Sequence, residues 1–249
     1  MTTKHARVNG LEMRYEDRGE GPPLLLLHGF TGAAVDWGHA LELDALAARW
    51  RVIVPDLRGH GGTRNDVWPL THRRCAEDLL ALLDAIGVGT FRAIGLSFGG
   101  NVMLHAATMQ PERVEAMVIV SATPRFPDQA RPILRAFATA PRSEEEWRVM
   151  RERHEHDDDR IRALWRTPAD FAESHDDLCF TREALARIAA RTLIVQGDRD
   201  PLYPVSLSVE MLEAIPRAAL WIRPEAGHGA IFGEDRPEFE ARALAFLAR

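Results

Sequence analysis

The sequence has few of the features that anchor a chain in a membrane, cross-link it or attach it to nucleic acid. Among 249 residues there are only two cysteines, Cys75 and Cys179, in unrelated segments without C-x-x-C spacing. This excludes a disulfide framework and favours a reduced, cytoplasmic protein in which each cysteine is a buried small side chain. The first residues are polar, and we expect no secretory signal. The longest apolar run, residues 24–27, is far too short to span a membrane.

Positive charge is in the minority. The 31 Lys and Arg residues are outnumbered by 37 Asp and Glu, which gives a net charge of −6 with no basic stripe, so we expect no nucleic-acid partner. The phosphate-binding pattern G-x-x-x-x-G-K-[ST] is absent, and nothing indicates a dedicated metal or nucleotide site. The 46% hydrophobic and 27% charged residues are an ordinary globular balance.

What the sequence does contain is an alternation of strand-like and helix-like segments. A hairpin is predicted around Asn9-Gly10, a pair typical of a two-residue turn. The other predicted strands lie at residues 22–28, 51–56, 91–94, 114–120, 192–196 and 219–222, and the predicted helices at residues 36–50, 75–86, 101–109, 206–215 and 237–247. This order predicts an α/β fold, with a mostly parallel central sheet and helices on both faces.

The alternation of strand-like and helix-like segments stops after Thr123. Residues 123–182 carry five prolines, charged runs and no convincing strand, while a capping box at Ser143 opens a short helix. We interpret 123–182 as a helical cap or lid insertion in a core domain made of 1–122 and 183–249, because the insertion is too small and polar for its own large core. Its large aromatic residues are predicted to pack between cap and core, with one or two lining the pocket: Trp147, Trp165, Phe171 and Phe180.

The most informative pattern is G-x-S-x-G, formed by Gly95, Ser97 and Gly99 between a predicted strand and a predicted helix. A serine on such a turn is exposed and strained, and the turn closes only if its neighbours have almost no side chain. This is how a weakly reactive alcohol is presented to a carbonyl carbon. Ser97 is therefore the candidate nucleophile.

The partners that Ser97 needs also follow predicted strands. His228 is the candidate base, and Asp200 is preferred over Asp198 as the acid that orients it, because Pro201 fixes the chain direction after Asp200. The backbone N–H groups of Phe30 and Phe98 are the candidate oxyanion donors. Because the carboxyl ends of parallel strands share one edge of the sheet, we expect these groups to converge there.

Together these segments make the chain resemble the α/β-hydrolase superfamily, as a serine-nucleophile, small-cap, carboxylesterase-like member. The residues that carry the resemblance are His28-Gly29-Phe30-Thr31-Gly32, Asp56-Leu57-Arg58-Gly59-His60-Gly61, the turn from Gly95 to Gly100, Gly197-Asp198-Arg199-Asp200 and Gly227-His228. The resemblance implies a cofactor-free hydrolase with a cap over its pocket. In relatives with Gly-Asp-x-Asp the second aspartate usually serves in the triad, which favours Asp200.

Departures from the superfamily's patterns narrow the chemistry. Epoxide hydrolases and haloalkane dehalogenases of this fold use an aspartate at the position of Ser97. A menaquinone-pathway lyase with the same triad usually has an arginine where Asn101 stands here. That lyase stays a minor alternative, and C–C bond hydrolases of ring-cleavage products and ligand-binding homologues with little turnover stay open.

Other histidines invite further interpretations. His28 and His60 are predicted to brace the neighbouring loops. The run His154-Glu-His156-Asp-Asp-Asp159 could suggest a metal site, but it lacks the H-E-x-x-H spacing, and a solvated charge cluster is preferred. The sequence thus predicts a monomeric or homodimeric serine hydrolase that cleaves a small carboxylic ester, lactone or related acyl compound through an acyl-enzyme.

Overall fold

A single eight-stranded sheet organises the computed structural model, which describes residues 2–229 and 231–249. The strands are β1 (Thr2–Val8), β2 (Leu11–Arg18), β3 (Pro23–Leu27), β4 (Arg51–Pro55), β5 (Phe91–Leu96), β6 (Val114–Val120), β7 (Arg191–Gly197) and β8 (Ala218–Arg223). Their order in the sheet is β1-β2-β4-β3-β5-β6-β7-β8. The pairings of β1 with β2 and of β2 with β4 are antiparallel, and all the others are parallel.

Helices cover both faces of the sheet. They are α1 (Leu43–Ala47), α2 (His72–Ala85), α3 (Phe98–Met109), α4 (Ala130–Thr139), α5 (Glu144–Arg153), α6 (Asp158–Glu173), α7 (Arg182–Ala186), α8 (Val205–Ala214) and α9 (Arg236–Leu247), with short 3-10 turns at Ala34–His39, Pro111–Arg113 and Gly233–Asp235. Helices α1 and α9 pack on one face, and α2, α3 and α8 on the other. No helix of the described residues is both long and apolar enough to cross a bilayer.

Strand β3 shows why the predicted apolar run forms a central strand. Leu24 and Leu26 belong to the core on one face, while Leu25 and Leu27 belong to the core on the other. Because side chains alternate across a strand, a continuous run of four leucines suits only a strand that is covered on both sides. The predicted α/β architecture, with its mostly parallel sheet, is confirmed.

The local predictions hold at several turns. Asn9 and Gly10 have φ of 47° and 78°, the positive values that a tight hairpin turn requires. Thr71 caps α2 by accepting a hydrogen bond from the Arg74 amide, and Ser143 caps α5 in a capping box with Glu146.

The single helix predicted over residues 36–50 is wrong. The chain forms the 3-10 turn Ala34–His39, breaks, and forms only the five-residue α1. The break lies at Glu42, where φ is −81° and ψ is 84°, and its amide donates to the Glu240 carboxylate instead of to a helical carbonyl. A side chain almost 200 residues away supplies this acceptor, which a local pattern does not reveal.

The insertion between β6 and β7 is helical. Helices α4, α5 and α6 lie within residues 123–182, and the described part of this segment has no strand beyond the single bridge between Arg125 and Cys179. Cys179 is exposed, so the expectation that both cysteines are buried is wrong for it and correct for Cys75.

Candidate active site

The strands that lead to the candidate site are neighbours in the sheet and run in the same direction. Ser97 directly follows β5, Asp200 lies three residues beyond β7, and His228 lies five residues beyond β8. Phe30 lies in the loop after β3, residues 28–32, which we call the β3 loop. Since β3, β5, β6, β7 and β8 are parallel in that order, their carboxyl ends bring these residues to one edge of the sheet.

The turn at Ser97 is held in a conformation that few residues tolerate. Ser97 has φ of 49° and ψ of −108°, and its amide donates to the Val120 carbonyl. A Cβ on Gly99 would lie 2.3 Å from the Leu27 carbonyl oxygen, and one on Gly95 would lie 2.6 Å from the Gly99 oxygen. The glycines are therefore required by close backbone approach, and the turn lifts the Ser97 hydroxyl away from the sheet.

A chain of hydrogen bonds joins the three predicted side chains. His228 Nε2 lies 2.8 Å from Ser97 Oγ, and His228 Nδ1 lies 2.8 Å from Asp200 Oδ2. A carboxylate can only accept, so Nδ1 carries the proton that is donated to Asp200. Neutral His228 then has a lone pair on Nε2, which can accept the Ser97 proton.

Asp200 is fixed by more than His228. Its Oδ1 accepts from the Leu202 and Tyr203 amides, and its Oδ2 accepts from the Gln196 side-chain amide. Burial alone raises the pKa of Asp200, but the bond to His228 and the two backbone amides outweigh burial and leave the pKa below its ordinary value. Asp198 is exposed. The structure therefore brings Asp200, and not Asp198, to the imidazole.

The candidate oxyanion donors lie on both sides of Ser97. Phe98 opens α3 directly after Ser97, and Phe30 lies in the β3 loop. Both residues line the cavity that Ser97 lines, and their rings meet edge to face at 5.6 Å. Neither backbone N–H is paired with an acceptor in the described part of the chain.

Ser97 and His228 open into an apolar cavity of about 360 Å³. Its walls come from the core and from the insertion, which contributes Phe126, Phe171 and residues of α4. No Lys, Arg, Asp or Glu is among the described residues that line it. Ile133, Phe137 and Phe232 line the cavity and are also partly exposed, which places them at its mouth.

The site also contains polar residues that no sequence motif indicates. Besides orienting Asp200, Gln196 donates to the Tyr203 carbonyl, and the Tyr203 ring packs edge-on against His228 at 5.4 Å. Ser121 accepts from the Gly229 amide beside His228. The one available signal was Gln196, a polar residue directly after the apolar run Leu193–Val195 of β7.

His28 and His60, which the sequence predicts to brace the neighbouring loops, are both buried in loops. His28 donates from Nδ1 to the Gly29 carbonyl and accepts at Nε2 from the Leu57 amide, so it links the β3 loop to the turn after β4. His60 is fully buried and bonds to the Arg58 carbonyl. Burial lowers the pKa of both rings below the ordinary value, which keeps them neutral.

The charged run at residues 154–159 is in part the solvated cluster that the sequence favours, because Glu155, Asp157 and Asp159 are exposed, but the prediction is wrong for His154. His154 is only 1% exposed and bonds to the core. No group of three or more His, Cys, Asp or Glu within residues 2–229 and 231–249 is placed to hold a metal ion. The run mixes a buried histidine with carboxylates that cap and pair on α6.

The model of the alpha/beta hydrolase family matches residues 24–243 of the chain. The chain belongs to this family. Three features position the candidate site in this member of the alpha/beta hydrolase family. They are the order of the strands in the sheet, the serine turn after β5 and the helical insertion after β6.

Relatives of this chain carry the names of enzymes that act on different bonds. The chain is 34% identical to Epoxide hydrolase 3 of Siraitia grosvenorii over 137 residues, which cover 53% of the chain and only 42% of that protein. It is 29% identical to the putative carbamate hydrolase RutD of Caulobacter sp. (strain K31), with 90% of each chain covered. The solved structure of a meta-cleavage product hydrolase from Pseudomonas fluorescens IP01 superposes with a TM-score of 0.80 at 25% identity, covering 98% of this chain and 97% of the other. The names of these relatives support hydrolase activity, but they do not identify the type of bond that is cleaved.

Proposed function

We propose that this alpha/beta hydrolase is a serine hydrolase that cleaves a neutral carboxylic ester, lactone or related acyl compound through an acyl-enzyme. The observation that carries the proposal is the continuous chain from Ser97 through His228 to Asp200, with both contacts of the imidazole at 2.8 Å, which opens into an apolar cavity. Ser97, His228 and Asp200 are the proposed catalytic triad.

Acylation begins when Ser97 Oγ attacks the carbonyl carbon of the substrate. His228 Nε2 takes the hydroxyl proton as the bond forms, and Asp200 stabilises the imidazolium through the proton on Nδ1. Negative charge gathers on the former carbonyl oxygen, and the proposed donors are the unpaired N–H groups of Phe30 and Phe98. His228 then returns the proton to the leaving alcohol as the ester bond breaks.

Deacylation repeats these roles with water. His228 removes a proton from the water that attacks the acyl-enzyme, and the second tetrahedral intermediate is held by the same two N–H groups. Its collapse releases the carboxylic acid, and the proton on His228 returns to Ser97 Oγ. No further co-reactant is required for the atoms and charges to balance.

The lining of the cavity indicates which acyl groups fit. Without a Lys or Arg among the described lining residues, a carboxylate on the acyl chain would lose its hydration without gaining a counter-ion, which costs several kcal/mol. Phe126, Phe171 and Leu134 instead offer apolar surface. We therefore propose a neutral acyl group, and we propose that residues 123–182 act as a cap over it.

The test is a series of p-nitrophenyl esters of graded acyl length, with and without a terminal carboxylate. We expect turnover to rise as methylenes are added until the cavity is filled, by ~1–3 kcal/mol per methylene at most. The carboxylate-bearing ester of the same length should be the poorer substrate. Equal or better turnover of the charged esters would refute the assignment to neutral acyl groups.

Hydrolysis of a C–C bond is the second candidate, favoured by the likeness to the meta-cleavage product hydrolase, with its TM-score of 0.80. The same triad would serve it. A ring-cleavage product turned over faster than every ester in the series would favour this second function.

A further inference from the structure

A buried histidine is among the residues of the insertion that contact the β3 loop. His154 ends α5, and its ring is only 1% exposed. Its Nδ1 accepts from the Gly61 amide at 2.7 Å, and its Nε2 lies 3.1 Å from the Thr31 carbonyl oxygen. Because the carbonyl can only accept, Nε2 carries the proton, and the neutral ring bridges two core loops.

Thr31, whose carbonyl the His154 ring contacts, has an unusual backbone conformation. Its φ is 60°, in the left-handed region where a β-branched side chain is an outlier. Such a conformation is strained and persists only where the surroundings enforce it. Thr31 directly follows Phe30, whose N–H is a proposed oxyanion donor, so the direction of that N–H depends on how the loop turns at Thr31.

Arg153, a second residue of the insertion, also contacts the Thr31 carbonyl. Arg153 donates to the Thr31 carbonyl at 3.3 Å and to Asp36 Oδ1 at 3.1 Å. Asp36 in turn accepts from the Ala33 amide just beyond the β3 loop. Two consecutive residues of the insertion therefore converge on one carbonyl of the loop. Within the described β3 loop, the backbone bonds to itself only from Gly32 to Gly29, and two side chains add bonds, His28 to the Gly29 carbonyl and the Thr31 hydroxyl to the Phe30 carbonyl.

We propose that His154 is a positioning residue that holds the β3 loop through Thr31, so that the Phe30 N–H faces the oxyanion only while the insertion is docked on the core. This inference rests on the proposed function, since it assigns His154 to the proposed oxyanion hole. It makes the insertion part of the catalytic geometry as well as a wall of the cavity.

His105 is a matched comparison within the same chain. It is also a buried histidine, 3% exposed, that ties the core to the insertion, through a bond of 2.7 Å from Nε2 to the Asp177 carbonyl. It touches neither the β3 loop nor the cavity. A purely structural role for His154 would make the two histidines equivalent in their effect on turnover.

The experiment compares His154→Phe, His154→Gln and His105→Phe in the full chain, with p-nitrophenyl esters and with the rate at which a fluorophosphonate labels Ser97. For His154→Phe we expect kcat to fall by up to roughly 100-fold, the effect of losing one oxyanion donor, with KM changed by less than about threefold. Phosphonylation should slow in parallel. Glutamine has a donor and an acceptor on one planar group, so His154→Gln should recover most of the loss.

The outcomes separate the inference from the proposed function. His105→Phe should lower the melting temperature as His154→Phe does, while its kcat stays near that of the wild type. If the two phenylalanine variants lose the same kcat, or if His154→Phe is labelled as fast as the wild type, the positioning role is overturned while the serine hydrolase stands. If wild-type Ser97 is not labelled at all, the proposed function fails and the inference fails with it.

Discussion

At the scale of single residues, the decisive feature is how firmly Asp200 is held. Three donors besides His228 reach its carboxylate: the Gln196 side chain and the Leu202 and Tyr203 amides. A carboxylate with so many donors stays ionised and cannot rotate away from the imidazole. The imidazole is thereby kept in the one tautomer that leaves Nε2 free for Ser97.

Asp200→Asn should abolish most of the turnover. The asparagine amide can donate to Nδ1 and so favour the tautomer with the proton on Nε2, which cannot accept from Ser97; a comparable change in serine proteases lowers kcat by about 10⁴-fold. The measurement is kcat on a p-nitrophenyl ester, with Asp198→Asn as the control because Asp198 is exposed. Equal losses in the two variants would mean that the acid has been assigned wrongly.

The sequence predicts Ser97, His228 and Asp200 because each follows a recognisable strand and lies in a glycine-rich turn. It does not predict His154 or Gln196 as parts of the site. The partners of His154 are Thr31 and Gly61, roughly a hundred residues earlier, and no local pattern encodes such a pairing. The charged neighbours of His154 along the chain even favour an exposed position for its ring.

At the scale of elements, the turn between β5 and α3 depends on backbones that nearly touch. Gly99 packs against Leu27 of the adjacent strand β3, and a Cβ on Gly99 would lie 2.3 Å from the Leu27 carbonyl oxygen. This contact ties the start of α3 to the end of β3, and therefore the Phe98 N–H to the β3 loop.

Gly99→Ala should be destabilising, since neither the carbonyl of a central strand nor the helix can move cheaply. We expect a loss of ~1–3 kcal/mol in the free energy of unfolding, the usual cost of overpacking, together with a loss of turnover. Urea unfolding measures the first quantity. Gly89→Ala is the control, because a Cβ there meets nothing within 4 Å. A Gly99→Ala variant as stable as Gly89→Ala would contradict this account of the turn.

Element boundaries were predictable where local chemistry sets them. Thr71 and Ser143 cap helices that begin where the sequence predicts. The helix expected over residues 36–50 is broken because Glu42 bonds to Glu240 on α9, a tertiary contact that overrides local propensity. Tertiary contacts also determine how the insertion packs on the core. For this reason the sequence predicts only some of the residues of the insertion that line the cavity, among them Phe171.

At the scale of the whole molecule, burial of neutral histidines links stability to pH. His28, His60, His105 and His154 are all buried, and burial lowers the pKa of each, to about 4 for His105 and about 3 for His154. In the unfolded chain these rings titrate near the ordinary value of about 6.5. The unfolded state therefore binds more protons than the folded state as the pH falls below that value.

The free energy of unfolding should accordingly fall as the pH is lowered from 7 to 5. Each such ring contributes up to about 1.4 kcal/mol per pH unit, and for His154 the window runs from about 6.5 down to its folded pKa of about 3. Urea titrations at a series of pH values measure the slope. His154→Gln, which removes one titrating ring, should have a shallower slope, and a slope unchanged from the wild type would exclude His154 from this linkage.

Ser97, activated by His228 and Asp200, is the proposed nucleophile of this member of the alpha/beta hydrolase family. The most direct measurement is the intact mass of the protein after incubation with a fluorophosphonate, for the wild type and for Ser97→Ala. We expect one phosphonyl group per chain on the wild type, mapped to Ser97, and none on the variant, which should fold normally and not turn over esters. Equal labelling of both proteins, or ester turnover retained by Ser97→Ala, would contradict it.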